Sequence, residues 1–130
     1  MQFFEVIEYL SAQLQLPQLV PSPNGTCAVR LDDVIVHLTH DPLARSFDIR
    51  SDIGHADTGD AALMKELLAA NRFGDGSGAS VLSCDAMGHA VLRQRFSLPD
   101  LSLHRFYTAL ARFVSYAEHW QARLAAGAQA

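Results

Sequence analysis

Residues 26–53 read TCAVRLDDVIVHLTHDPLARSFDIRSDI, and this stretch decides the fold. Cys27, Val29 and Leu31 alternate with Thr26, Ala28 and Arg30, the two-residue period of a half-buried strand. Asp32-Asp33 suits a tight turn, because a short carboxylate side chain can hydrogen-bond its own backbone there. Residues 34–39 are almost continuously apolar or β-branched apart from His37, so both faces of that strand are expected to find cover. Pro42 closes the run, since proline cannot donate to a ladder. Alternation resumes over residues 45–53, with Phe47, Ile49 and Ile53 against Asp48, Arg50 and Asp52. Three antiparallel strands in a meander follow.

Upstream, residues 2–16 have helical period: Phe3, Ile7, Leu10 and Leu14 form a stripe that Val6 widens. Glu5 and Glu8 favour the positive end of that helix, and Pro17 is expected to end it. Downstream, residues 54–59 read as a loop and Asp60 as the cap of a short helix over residues 60–71. That helix carries Leu63, Leu67 and Ala70 on one face, with Met64 and Leu68 beside them. Gly74, Gly76 and Gly78 mark a flexible connection. Residues 79–84 and 90–96 are two further strands, joined through the hairpin turn Asp85-Ala86-Met87-Gly88. Asp100 or Ser102 caps a last helix reaching to about residue 124, striped by Leu103, Phe106, Leu110, Phe113, Val114, Ala117, Trp120 and Leu124. Residues 125–130 are expected to fray.

The element order is therefore α-β-β-β-α-β-β-α in a single α+β domain over residues 1–130, an antiparallel sheet with the two terminal helices packed on one face. No helix of comparable length remains for the other face. Apolar residues left there imply a partner, either a second copy or a client.

Composition narrows the function. The chain has 130 residues, 49% hydrophobic and 18% charged, which is globular and needs no metal or disulfide for stability. Its net charge of −4 argues against a general nucleic-acid binder. Its start lacks the basic residues and apolar run of a signal peptide, and no stretch is apolar enough for membrane insertion, so a cytoplasmic location is expected.

Catalytic patterns are weak. The six histidines include His37 and His40, three apart on or near a strand and so on opposite faces; no known metal-ligand spacing occurs, and a metal is not expected. Cys84 and His89 could approach across a hairpin as a hydrolytic dyad, against the plainer reading that Cys84 packs and His89 is solvated. The glycines at 74, 76 and 78 follow a helix, the reverse of a phosphate loop. Asp32, Asp33, Asp52, Asp57 and Asp60 sit at turns or at a helix start, where their side chains serve the backbone. Tyr116 and Trp120 suit a core or an interface. Neither an enzyme nor a cofactor is indicated.

Four strings in order resemble the class I chaperones of type III secretion, the CesT or Tir-chaperone family. They are Leu16-Pro17-Gln18-Leu19 leading to residues 25–33, Phe47 to Gly54, Leu67-Leu68-Ala69-Ala70-Asn71, and residues 113–120. The resemblance implies a bacterial cytoplasmic chaperone that binds the non-globular amino-terminal segment of a secreted effector and keeps it soluble and secretion-competent. It also implies a homodimer, with Leu63, Met64, Leu67, Val81 and Val91 near the twofold, and the secretion ATPase as a further candidate partner. For the effector-binding grooves the residues expected are Val6, Leu10, Val34, Val36, Leu38, Phe47 and Ile49. The alternative is a non-catalytic adaptor or regulatory module on the same scaffold.

Overall fold

The computed structural model describes residues 1–17, 19–72 and 79–128; the glycine-rich connection and residues 129–130 lie outside the described residues. In order, the elements are α1 (Phe3–Gln13), β1 (Thr26–Leu31), β2 (Val34–Asp41), β3 (Ser46–His55), α2 (Ala61–Asn71), β4 (Val81–Cys84), β5 (His89–Ser97) and α3 (Leu103–Ala128). The strands form one antiparallel sheet in the order β1-β2-β3-β5-β4. The meander expected from residues 26–53 is its first half. The chain then crosses through α2 to the far edge, and β5 inserts between β4 and β3.

The helix ends show which local forces win. Glu5 accepts a hydrogen bond from the Gln2 backbone N–H at 3.3 Å and so starts α1. The helix stops at Gln13, ahead of Pro17, because Gln15 turns left-handed (φ 53°). Gln15 N–H then donates to Ala12 O and Leu16 N–H to Ser11 O, a Schellman closure. Asp60 caps α2 by accepting from Leu63 N–H at 3.1 Å. Of the alternatives for α3, Ser102 is the cap, its hydroxyl accepting from Arg105 N–H at 3.3 Å. That helix runs past residue 124 to Ala128 rather than fraying at 125, as its alanines favour.

One face of the sheet is covered by α1 and α3, and the core lies there. Phe47 sits at its centre, with ring centroids 5.5 Å from Phe3, 5.4 Å from Phe96 and 5.3 Å from Phe106. Residue 34 sets the pleat: Val34, Val36 and Leu38 point to the helices and have no exposed surface, whereas Ile35 is 51% exposed. The expectation that both faces of β2 are covered is thus corrected. The opposite face is solvent-facing and mostly polar, carrying Thr39, Asp48, Arg50, Asp52, Arg93 and Arg95. Its larger apolar side chains are Ile35, Val81 and the half-buried Val91, a far smaller greasy surface than the sequence suggests.

The two sheet edges differ. At β4 the Asn71 side chain donates to Leu82 O and accepts from Leu82 N–H, both at 2.7 Å, standing in for a neighbouring strand. Glu66 on α2 also grips Arg123 on α3, at 2.8 Å. Replacing Asn71 by alanine strips partners from two part-buried backbone groups. A loss of about 2 kcal/mol in urea-unfolding free energy is expected, at about 1 kcal/mol per hydrogen bond.

Candidate protein-interaction surfaces

The residues predicted to line effector grooves are elsewhere. Val6, Leu10, Val34, Val36, Leu38, Phe47 and Ile49 all have 0% exposure and lie in the core. This corrects the expectation: the helical stripe of α1 and the inward phase of β2 and β3 meet each other, so no surface of these side chains is left for a guest. Among the residues expected at a twofold, Leu63 and Leu67 are also buried within the protomer. Met64 and Val91 are half-buried and Val81 is 54% exposed, so these three retain surface. Leu68, passed over in that set, is 71% exposed on the outer side of α2.

An open strand edge lies at the other end of the sheet. His40 N–H donates to Gly25 O at 3.0 Å, which fixes the phase of the β1–β2 ladder. In an antiparallel pair the groups of alternate residues point outward, here those of Thr26, Ala28 and Arg30. The loop before β1 already satisfies Thr26: its carbonyl accepts from Ser22 N–H at 2.8 Å and its N–H donates to Asn24 Oδ1 at 3.3 Å. Among the described residues, Ala28 and Arg30 are left presenting their backbone groups along the free side of β1.

Beside this edge lies a cleft of about 240 Å³ between α1, the end of β1 and α3. Leu14, Leu31, Tyr107, Leu110, Ala111 and Val114 supply its apolar lining, and Asp32 and Glu118 stand at its polar margin. Tyr107 is steadied by an edge contact with Tyr9 at 6.1 Å. Leu14 and Leu31 closed the apolar patterns of their own elements in the sequence. What the sequence concealed is that these ends converge with one side of α3.

The chemical candidates are placed as follows. His89 Nδ1 lies 3.0 Å from Asp85 Oδ2, inside its own turn, while Cys84 pairs with Ala90 across the ladder. Hydrogen bonds from His89, backbone first and side chain second, hold the Asp85 carboxyl below its usual range. Burial pushes the Cys27 thiol up, away from the reactive thiolate. The Asp48 carboxylate holds the Arg95 guanidinium protonated even more firmly than usual. No cluster of metal-ligating side chains is found among the described residues, and none of their helices is long and apolar enough to cross a membrane.

Solved structures share this architecture. The chain is similar to one in the ExsC–ExsE complex, with a TM-score of 0.76 and 21% identity over 93% of this chain and 92% of that one. It is similar to one in the HopA1–SchA chaperone–effector complex, with a TM-score of 0.73 and 18% identity over 90% and 91%. A third is in the structure of the Yersinia pestis type III secretion chaperone SycH with a stable fragment of YscM2, with a TM-score of 0.73 and 22% identity over 92% and 99%. No curated protein sequence matches the chain. Residues 5–121 match the model of the Tir chaperone protein (CesT) family, nearly the whole folded domain, and the chain belongs to that family.

Proposed function

We propose that this protein is a type III secretion chaperone that holds an unfolded, extended segment of an effector along the β1 edge. The observation that carries this reading is the asymmetry of the sheet: Asn71 takes up both outward backbone groups of Leu82 in the four-residue β4 edge, while Ala28 and Arg30 leave the longer β1 edge open beside an apolar cleft. An added strand gains main-chain hydrogen bonds there, and its alternate side chains reach the cleft. Such binding needs apolar area and backbone pairing, with no turnover and no cofactor. Family membership and the chaperone–effector complexes among the similar folds support the same conclusion.

The working form in this reading is a cytoplasmic homodimer, formed through Met64, Leu68, Val81 and Val91 rather than through the buried Leu63 and Leu67. The secretion ATPase is a further partner. Light scattering should give twice the 14.2 kDa chain mass; a stable monomer would exclude the homodimer.

Ala28→Pro tests the strand edge. The Ala28 N–H points away from β2, a position where an edge strand tolerates proline. Co-expressed with the product of a neighbouring reading frame, the wild type should capture a soluble partner. The variant should keep its melting temperature and lose about tenfold or more in affinity, the equivalent of a main-chain bond and a blocked edge. Undiminished capture would remove β1 as the docking edge.

A further inference from the structure

The open face of the sheet carries a row of side chains that crosses every strand. Ala28, His37, Arg50, Arg93 and Val81 are successive register partners. Arg50 and Arg93 thus face each other directly, and both are exposed. Like charges opposed in this way destabilise a sheet. The other arginines of the face are engaged: Arg95 with Asp48 at 2.9 Å, and Arg30 with Asp33 at 3.8 Å. Among the described residues Arg50 and Arg93 stand in no comparable ion pair. Half-buried His37 extends the row with a ring nitrogen.

The surroundings define what fits. Asp48 and Asp52 lie on the same face of β3, on either side of Arg50, so the cationic strip is one row wide. A nucleic acid, with a charge about every 1.7 Å of duplex, would overrun onto those carboxylates. An extended polypeptide brings side chains to one face about every 6.6–6.8 Å, within reach of long guanidinium arms on strands about 4.8 Å apart. A guanidinium also matches a carboxylate in a two-pronged hydrogen bond.

We infer that the Arg50–Arg93 pair, with His37 beside it, is a docking site for a short acidic, extended segment of a partner polypeptide, on the sheet face away from the helices. The site lies on the face opposite the cleft, between Ala28 of the β1 edge and Val81 of β4, and it does not depend on which client the chaperone carries. An anion laid across the row relieves the repulsion between the two arginines.

The test uses the full chain and a fluorescein-labelled Glu-Thr-Glu-Thr-Glu-Thr peptide, followed by fluorescence anisotropy. The Gln-Thr counterpart, the double variant Arg50→Gln/Arg93→Gln and the exposed α3 variant Arg112→Gln are controls. The glutamate peptide should bind the wild type and Arg112→Gln alike, and weaken with added salt. It should lose about tenfold in affinity on the double variant, as charge-assisted pairs do. The double variant should also melt about 2–4 °C higher, since it loses a like-charge pair. That gain separates lost binding from lost folding. Equal binding of both peptides, unchanged affinity in the double variant, or no saturable binding at millimolar peptide would overturn the site. So would an equal loss in Arg112→Gln, or tighter binding of a single-stranded oligonucleotide. A fall in native mass in the double variant would assign the row to a second copy and overturn it as well.

Discussion

Phe47→Ala is expected to lower the unfolding free energy by about 3–5 kcal/mol, the range for a buried phenylalanine replaced by alanine. Phe47 has no exposed surface, and its ring meets those of Phe3, Phe96 and Phe106 within 5.5 Å. The side chain therefore joins α1, β3, β5 and the start of α3, and no single neighbour can move to fill the space. Total stability of a domain this size is about 5–15 kcal/mol, so the urea midpoint should fall steeply with no client present. This experiment also decides between the two roles assigned to Phe47. A groove residue would leave the midpoint unchanged and reduce only effector capture. An unmoved midpoint would therefore contradict its place in the core.

Gly88→Ala should be nearly as damaging for a different reason. Gly88 has φ +85° in the turn between β4 and β5, the left-handed position that follows the tight turn of a three-residue hairpin loop. A side chain costs about 1–2 kcal/mol in that conformation. A Cβ there would also lie 2.4 Å from Ala56 O and 2.6 Å from His55 Nε2. The first of these is backbone that cannot withdraw cheaply, because Ala56 N–H donates to Gly88 O at 2.8 Å and sews the hairpin to the end of β3. Relieving such overpacking costs a further 1–3 kcal/mol or so. A loss of about 3 kcal/mol is the expected sum, measured by urea unfolding. A change under about 0.5 kcal/mol, the scale of an ordinary surface substitution, would show that the turn is not seated as described.

The misplaced groove residues show where local reading stops. The stripe of α1 was plain in the sequence, and so was the alternation of β3. An amphipathic element, however, announces only that it has an apolar side, and cannot say whether that side meets its own sheet or a guest. For β2 even the side was ambiguous, since Val34, Ile35, Val36 and Leu38 are all apolar. The pairing of Leu31 with Val34 across the Asp32-Asp33 turn settles it, aligning Val36 and Leu38 with Val29 and Cys27. Asn71 gave no sign of its role, because the backbone it satisfies is 11 residues away on a strand that only the fold brings near.

Taken alone, the sequence determined the order of helices and strands, the turns at Asp32-Asp33 and Asp85–Gly88, and the family resemblance. These depend on period, capping and turn chemistry, which act over a few residues. The tertiary structure alone decided that β5 lies between β3 and β4, and that Asn71 caps one sheet edge at Leu82 while the other edge presents Ala28 and Arg30. It also set Arg50 against Arg93 and brought the cleft beside α3 together from three distant segments. Those features arise from pairing between residues far apart in the chain, where the favourable energy of a contact depends on every other contact that holds the elements in register.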